Sequence, residues 1–525
     1  MASIRGVVDT NVTFPILFTA SLLSQLKYLT TSQLSSLMIK INELNPDEIF
    51  NNHSELITIA AEKCGLAEQL HRLSQRLNVH QAKERATQWL QNGIFVLFTG
   101  NQQVLFCQGN REILDSSTAA VLNSHKIRSV TPTTCWLKVT TKLTESAIEK
   151  GVTIVSSLGM LTYEIVTFIA NRHNSPMIIV LDGYLPGVLS SDLRKTFYDK
   201  FSNMFDLKNT LFISPFWPEI TLPVRRERMA IRDYWVVALA KKLFVAEARI
   251  DGNIQKLAST ALSEGRKVAV FRPLISDQNT KGNQKLLLAG AEAVIYSGTA
   301  QSKPSYSSGE ETPPLSIVLS EYLFHSTRAC PSPWPEQTLS GYIQSLVEND
   351  LDAGHMAFDT LCRILKEQLI RAGNRLVRGK TSVVSFTTCL PNELAKIRKW
   401  NPALIRWTFE PYGIGIKKSI LGKMGAKPVI YAEEEKFSQL PPKQQFRFQL
   451  HQPPKTDWSL EKEWRLTGDV ILSHLSPENM IIVVSSPHES TIIRTRFSLP
   501  VILANVSVQG IRKEKCKKKG LDCLE

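Results

Sequence analysis

Three arginines stand at the start of a helix-like segment in the middle of the chain. Arg225, Arg226 and Arg228 precede the periodic apolar run "MAIRDYWVVAL", which places them in the first turn of a predicted helix. Positive side chains oppose the helix dipole at that end, and a bound anion would relieve the conflict. The pattern therefore predicts contacts with phosphate, and a solvated helix start without a ligand is the alternative.

A second set of polar residues and glycines follows short apolar runs. Glycine after a strand lets backbone amides approach an anion, and an acid at a strand end can accept hydrogen bonds from a base or a ribose. The candidate ligand-binding residues of this kind are Ser157, Gly159, Glu247, Gly252, Gly282 and Asn283. A tight turn without a ligand is the alternative at Gly159, and an ion pair with Arg226 or Arg228 is the alternative for Glu247.

These candidates lie on alternating strand-like and helix-like segments. The runs "GVTIVSSLG", "SPMIIVLDG", "LFVAE" and "KVAVF" are short and continuously apolar, as buried parallel strands are. Helical stretches separate them, which is the order of an open α/β sheet. Ligands of such sheets bind at the carboxyl ends of the strands, so we expect the candidates to line one crevice.

The motifs, taken in order, resemble those of the DprA/Smf family of DNA-processing proteins. The counterparts of the family's motifs are "VSSLGMLTYEI", "RRERMAI", "FVAEARIDGN" and "GNQKLLLAGA". Three features depart from the family. Glu227 replaces the asparagine of the arginine motif, the first turn has a single glycine, and Asp251-Gly252 replaces a Ser-Gly pair.

This resemblance implies both a fold and a set of partners. The fold is α/β: a modified Rossmann (DprA/SLOG-like) parallel-sheet domain, here joined to an N-terminal helical module and a C-terminal α+β domain. The implied ligand is single-stranded DNA or a nucleotide, and the implied protein partner is a recombinase. The resemblance leaves homodimer formation open.

A different constellation lies in the C-terminal part of the chain. His325 stands in "LFHSTRA", Thr387 ends the strand-like "VVSFT", and Glu463 belongs to "LEKEWRL". These elements look like those of ADP-ribosyltransferase-like folds, and the region also resembles uncharacterised phage-defence domains. The first resemblance implies catalytic roles for all three residues, with NAD or another nucleotide as the cofactor. A buried core histidine and a structural salt-bridge strand are the alternatives.

The acidic pair in this region has its own expectation. Strand alternation in "LEKEWRL" puts Glu461 and Glu463 on one face. There the two carboxylates either repel each other and raise one pKa, or they hold Arg465 or Lys462.

Length and composition suggest several domains. At 525 residues the chain exceeds what one core serves, and "SGTAQSKPSYSSGEETPPLS" cannot build a core. We predict a helical module at 1–90, a Rossmann domain at 91–298, a linker at 299–315, an α+β domain at 316–510 and a basic tail at 511–525.

Charge and cysteine usage narrow the class of protein. The net charge of +14 favours polyanionic partners, although part of it lies in the tail "IRKEKCKKKG". Eight cysteines without a CxxC pair predict neither a zinc site nor a disulfide framework. No apolar run is long enough for a membrane helix, so we expect a cytoplasmic protein. Two hypotheses are a DNA-binding module and a nucleotide-sensing protein whose effector cleaves NAD or modifies a macromolecule. A third is an interaction scaffold in which both domains are catalytically inert, and enzymatic activity stays undecided.

Overall fold

The computed structural model describes most of the chain. The described residues are 13–44, 48–70, 77–124, 130–274, 277–296, 318–330, 332–348, 353–375, 377–378, 381–401, 406–454 and 457–504. The predicted linker lies outside them, and so does the basic tail. Contacts divide the chain into unit 1, which comprises Met1–Lys126, Pro132–Ala300 and Pro333–Asp350, and unit 2, which comprises Ile127–Thr131, Gln301–Ser332 and Leu351–Glu525. The predicted domain boundaries stay a prediction.

Unit 1 begins with helices that pack beside its sheet. Helix α1 (Thr13–Leu23) contacts both helix α5 (Val79–Gln91) and the strand Ile94–Phe98. Its residues Leu17, Leu22 and Leu23 are fully buried, as an all-round apolar helix must be. Asn78 begins the last of these helices because its side chain accepts a hydrogen bond from the Gln81 amide at 2.9 Å. The helices are α1 Thr13–Leu23, α2 Thr31–Leu44, α3 Ile49–Lys63, α4 Ala67–Leu70 and α5 Val79–Gln91.

The described part of unit 1 contains a nine-stranded sheet in the order β1-β2-β6-β5-β4-β3-β7-β8-β9. The strands from β6 to β9 in this order are parallel, and β1 and β2 are antiparallel additions at one edge. The strands are β1 Ile94–Phe98, β2 Val104–Gly109, β3 Thr118–Asn123, β4 Thr153–Ser157, β5 Met177–Val180, β6 Thr210–Ser214, β7 Lys242–Glu247, β8 Lys267–Phe271 and β9 Glu292–Val294.

Chain order in this sheet reverses between β3 and β7. The chain runs outward through β4, β5 and β6 on one side of β3 and through β8 and β9 on the other. Helices connect the strands, and the continuous apolar runs supply a core that includes Val155, Ile178, Ile213 and Val245. These helices are α6 Cys135–Ile148, α7 Leu161–Arg172, α8 Ser191–Lys200, α9 Arg225–Leu239, α10 Asn253–Ser263 and α11 Lys281–Leu288. A further helix, α12 Leu339–Val347, comes from later in the chain and contacts α6 and α7.

Unit 2 is built on a mixed sheet. Seven strands follow the order β16-β19-β12-β10-β15-β21-β22, and among these only the pair β21–β22 is parallel in the described register. The strands are β10 Tyr322–Ser326, β11 Leu369–Ile370, β12 Val383–Thr387, β13 Trp400–Asn401, β14 Arg406–Trp407, β15 Gly413–Lys417, β16 Lys427–Pro428, β17 Ile430–Ala432, β18 Phe448–Leu450, β19 Glu463–Thr467, β20 Val470–Ile471, β21 Met480–Val484 and β22 Val501–Leu503. The helices are α13 Ala357–Glu367, α14 Pro391–Lys396, α15 Lys418–Lys423, α16 Glu435–Gln439 and α17 Pro487–Phe497. The predicted fold class is therefore confirmed for both parts of the chain.

The central sheet of unit 2 has two distinct faces. Side chains alternate along each strand, and residues opposite each other in register share a face. The Leu323 face carries Leu323, Phe386 and Ile414, which belong to the larger core. The Phe324 face carries Phe324 and its register partner Thr387.

Candidate nucleic-acid interface

The reversal of strand order in unit 1 creates a switch point at the carboxyl ends of β3 and β7. The two ends are joined there, since the Ser124 amide donates to the Glu247 carbonyl at 2.8 Å and the Arg249 amide donates to the Ser124 hydroxyl at 3.0 Å. Open α/β sheets bind their ligands at such a point. A ligand is therefore expected on the side of the sheet where the carboxyl ends of β3, β4 and β7 lie.

The first predicted turn, after β4, is already occupied by the protein's own groups. Ser157 is fully buried, and its hydroxyl donates to the Val180 carbonyl at 2.6 Å. Gly159 has a φ of +83°, which explains the glycine. Its amide donates to the Glu164 carboxylate at 3.1 Å. The carboxylate of Glu164 thus fills the position where an anion would meet this amide.

Glu164 was not among the residues predicted from the sequence. It is only 7% exposed, and burial raises the pKa of its carboxyl group. An acid in the first turn of a helix is favourable, and this is the one signal that could have pointed to it.

The arginine motif lies where the sequence predicted, because helix α9 begins at Arg225. Arg225 and Arg226 are exposed, and Arg228 is half-buried. The buried Nε atom of Arg228 has no hydrogen-bond partner in the part of the chain that the structure describes. Among the described residues, none of the three forms an ion pair, either with Glu247 or with any other acid. The first turn of α9 therefore presents unneutralised guanidinium groups.

A buried polar network holds α9 against the neighbouring helices. Arg232, 1% exposed, donates to Asp233 at 2.8 Å, and its guanidinium lies 4.9 Å from the centre of the Tyr163 ring. Asp233 also accepts from the Tyr163 hydroxyl at 2.9 Å and from the Asn253 amide group at 3.0 Å. The network joins the start of α7, the second turn of α9 and the start of α10. It positions three of the segments that border the switch point.

The other residues of unit 1 that were predicted to bind a ligand lie on the same carboxyl-terminal side of the sheet, and some of them make structural contacts instead. Glu247 ends β7 and is half-buried, and Gly252 precedes the first residue of α10. Gly282 approaches β7 closely, since a Cβ atom there would lie 2.5 Å from the Ala248 carbonyl oxygen. Asn283 is fully buried and binds backbone only: it accepts from the Ala248 amide at 2.7 Å and donates to two strand-end carbonyls. Gly282 and Asn283 thus fasten β7 to α11 and β8.

In unit 2, the structure brings together two of the three residues predicted to be catalytic. Thr387 and Glu463 are register partners and share the Phe324 face. His325 follows Phe324 along its strand and therefore lies on the Leu323 face, where its ring packs against Phe386 at 5.9 Å. Its Nδ1 atom lies 2.9 Å from the Ser385 carbonyl oxygen, and burial lowers the pKa of His325 to about 4. The imidazole is thus neutral near pH 7.

The acidic pair differs from the expected strand arrangement. Strand β19 begins at Glu463, because Ser459–Glu461 forms a 3-10 turn and Lys462 has a left-handed φ of 44°. Both carboxylate oxygens of Glu463 accept from Arg465, each at 2.9 Å. The Thr387 hydroxyl donates to the Glu461 carbonyl at 2.6 Å. Glu463 and Thr387 are therefore engaged in holding the sheet.

Glu461 is the acid of this pair whose pKa is shifted. Burial, then repulsion from Glu463, raises the pKa of Glu461 to about 7, and Arg328 opposes the shift. Its carboxylate makes no hydrogen bond to any described residue. Glu461 therefore carries the raised pKa, while Glu463 holds Arg465 of its own strand rather than of a neighbouring one.

Two further kinds of feature are absent from the described residues. They contain no helix with the length and apolar character to cross a bilayer. They also contain no group of three or more histidine, cysteine, aspartate or glutamate side chains placed to hold a metal ion.

Comparison with known proteins gives matches for the region that carries the nine-stranded sheet. A family model described as DNA recombination-mediator protein A matches residues 97–302. The chain is similar to DNA processing protein A (DprA) from Streptococcus pneumoniae, with 16% identity over 52% of this chain and 92% of that chain and a TM-score of 0.38. It is also similar to DNA processing protein A from Helicobacter pylori, described for its single-stranded DNA binding mode, with 19% identity over 36% of this chain and 81% of that chain and a TM-score of 0.28. No curated protein sequence matches the chain significantly.

The family match therefore assigns the part of unit 1 that carries the mostly parallel sheet with its switch point to the DNA-processing class. More specifically, residues 97–302 are a DprA (DNA processing protein A) domain. The matched region ends before unit 2 begins its sheet, so unit 2 has to be interpreted from its own geometry.

Proposed function

We propose that the DprA domain binds single-stranded DNA through the phosphate backbone, with Arg225, Arg226 and Arg228 as the principal contacts. The observation that carries this proposal is the unneutralised first turn of α9. Three guanidinium groups lie at the positive end of a helix without an ion-pair partner in the described structure. A polyanion at this position would stabilise both the charges and the helix end.

The other groups at the switch point favour contacts from side chains rather than from the Gly159 turn. The Gly159 amide already donates to Glu164, and the Ser157 hydroxyl already donates to a backbone carbonyl. A phosphate at the Gly159 turn would have to displace these hydrogen bonds. At the arginines it would supply the ion-pair partner that they lack among the described residues. The net charge of +14 adds long-range attraction for a polyanion.

The test is a double variant, Arg226→Ala with Arg228→Ala, in the full chain. We expect weaker binding of an oligo(dT) strand. We also expect a salt dependence whose slope falls by roughly 0.7 for each phosphate that the variant no longer neutralises. The matched control is Lys150→Ala with Lys267→Ala, which removes two exposed cations near the amino ends of β4 and β8. The control should keep both affinity and slope, because those cations lie at the opposite edge of the sheet.

The result also decides between the two ligands that the family resemblance implies. A nucleotide bound at the switch point would show saturable binding with little dependence on salt. Loss of nucleotide binding in the arginine variant, with oligo(dT) affinity unchanged, would replace DNA by a nucleotide as the ligand. Recombinase partnership and homodimer formation are further expectations that follow the DNA-binding proposal.

A nucleotide-sensing protein with an NAD-cleaving unit 2 is the alternative function. Glu461 favours it, since an acid with a pKa near 7 and no hydrogen bond to a described residue is suited to proton transfer. His325 gives it no support, because His325 lies across the sheet from Thr387 and Glu463. Nicotinamide release from NAD by the purified chain, with and without oligo(dT), tests it. Release that persists in Glu461→Gln would rule out Glu461 as the catalytic acid.

A further inference from the structure

The first turn of helix α7 has hydrogen-bonding groups that suit an anion. The helix begins at Leu161, and its N-cap residue, Met160, makes no side-chain hydrogen bond to the backbone. Gly159 lies at the exposed turn before it, and an added Cβ atom there would meet no described heavy atom within 4 Å beyond its chain neighbours. Thr162 is 3% exposed, and its hydroxyl oxygen has no hydrogen-bond partner among the described residues. The helix start therefore combines an accessible amide with a buried hydroxyl that lacks a partner.

The Glu164 carboxylate takes the place of an anion at this turn. It accepts from the Gly159 amide at 3.1 Å, which is its one hydrogen bond within the described structure. Burial raises the pKa of Glu164, whereas the Gly159 amide and the positive charges of Lys200 and Arg232 oppose the shift. Arg232 gives its ion pair to Asp233 instead. Glu164 is thus a buried acid in a positive potential, and a single hydrogen bond holds it there.

Helix capping alone does not explain a buried acid at this position. A serine, threonine or asparagine at the N-cap satisfies the first amides of a helix without placing a charge in the interior. Burial of a carboxylate is unfavourable unless its charge is compensated. What the carboxylate adds to a cap is negative charge at the Gly159 amide. That charge repels a phosphate, and the carboxylate also occupies the hydrogen bond that a phosphate would need.

We propose that Glu164 determines which phosphates the DprA domain can hold: the first turn of α7 is a latent phosphate site, and the Glu164 carboxylate closes it. A DNA strand held by the arginines of α9 then makes no contact with the Gly159 amide, and a free phosphate compound does not bind at this turn. The statement about the strand rests on the DNA-binding proposal. The exclusion of free phosphate stands without it.

Glu164→Ala in the full chain tests the closure, with AMP and inorganic phosphate as probes in calorimetric titrations. We expect both probes to bind about tenfold more tightly than to the unaltered chain, because a charge-assisted hydrogen bond to the Gly159 amide becomes available. Adenosine, which lacks the phosphate, should gain nothing. Glu164→Gln is the matched control. Its amide oxygen can still accept from Gly159 and it fills the same space, so the turn should stay closed.

Binding of oligo(dT) gives a second measurement of the same closure. In Glu164→Ala the salt dependence should become steeper by about 0.7, since the opened turn can hold one additional phosphate. The control is Glu227→Ala, which removes an exposed acid from the first turn of α9 and leaves the α7 turn closed. Its slope should equal that of the unaltered chain.

Circular dichroism checks the fold of each variant, and Glu164→Ser is the second opening variant if Glu164→Ala does not fold. The proposal is overturned if a folded opening variant gains no binding of AMP or phosphate, or if Glu164→Gln gains as much. AMP binding by the unaltered chain that persists in the Arg226→Ala, Arg228→Ala double variant would also overturn it. Failure of both opening variants to fold would assign Glu164 a structural role instead. Absence of oligo(dT) binding to the unaltered chain would remove the DNA-binding proposal alone, since the phosphate titrations need no DNA.

Discussion

Arginine serves the two units of this protein in different ways. In unit 2, Arg465 is 2% exposed and donates to both oxygens of Glu463 and to the carbonyls of Phe446 and Phe448. In unit 1, Arg225 and Arg226 are exposed and have no ion-pair partner in the described part of the chain. A charge with all its partners inside the protein holds a fold, whereas a charge without partners is available to a ligand.

The same contrast occurs within helix α9. Arg228 and Arg232 are one turn apart, yet only Arg232 has an internal acid, Asp233. The sequence shows four arginines of one helix, and it does not show which of them are neutralised. The residue type therefore indicates a possible anion contact, and the tertiary structure around each guanidinium decides whether a ligand is needed.

The largest expected effect breaks the internal pair of unit 2. Glu463→Ala leaves the buried Arg465 without its carboxylate, and removing one partner of a buried pair costs about 3–5 kcal/mol. Hydrogen exchange on β12 and β19 should show this loss of protection. Glu461→Ala is the matched control, with both variants compared at pH 5. At that pH the Glu461 carboxyl is neutral in the folded chain, and it makes no side-chain hydrogen bond to a described residue, so its removal should leave protection nearly unchanged. Equal effects of the two variants would contradict the division of roles between these acids.

A smaller effect compares two arginines of α9. Arg232→Ala removes a buried cation from Asp233 and from the Tyr163 ring, so we expect a loss of about 2–4 kcal/mol in the free energy of unfolding of unit 1. Arg226→Ala should change it by less than about 0.5 kcal/mol, since exposed side chains contribute little. Thermal unfolding followed by hydrogen exchange on α7 and α9 measures both. A similar loss in Arg226→Ala would reveal a structural partner for that arginine.

Local patterns predicted much of the fold and part of the site. Helix α9 begins at Arg225, one turn before the periodic apolar run that starts at Met229, and β4, β5, β7 and β8 form at the continuous apolar runs. The left-handed turn at Gly159 is also a local property. The sequence singled out Gly282 as well, although its close approach to Ala248 joins two distant segments of the chain.

Local sequence patterns could not predict contacts between distant segments. The Tyr163 hydroxyl donates to Asp233, which lies 70 residues further along the chain. The sequence around either residue therefore gives no sign of the network. The separation of His325 from Glu463 depends on strand register, and a shift of one residue would have reversed it. The 3-10 turn before Glu463 interrupts an alternation that is typical of a continuous strand.

The last and smallest effect uses pH to separate Glu461 from its neighbour. Its carboxyl has a folded-state pKa of about 7 against 4.5 for the unfolded chain. Between these values the folded state binds more protons than the unfolded state, so this group's stabilising contribution is complete below about pH 4.5 and is lost as the pH rises to 7. The expected loss is of order 1–3 kcal/mol.

Urea unfolding at pH 5 and pH 8 should show this loss of stability in the unaltered chain, and Glu461→Gln should lack it because the amide does not titrate. Acids that do not interact with Glu461, including Glu164, titrate equally in both chains, so the difference between the chains reports Glu461 together with its repulsion from Glu463. An identical pH dependence in the two chains would show that Glu461 has an ordinary pKa, and it would also remove the main support for proton transfer in unit 2.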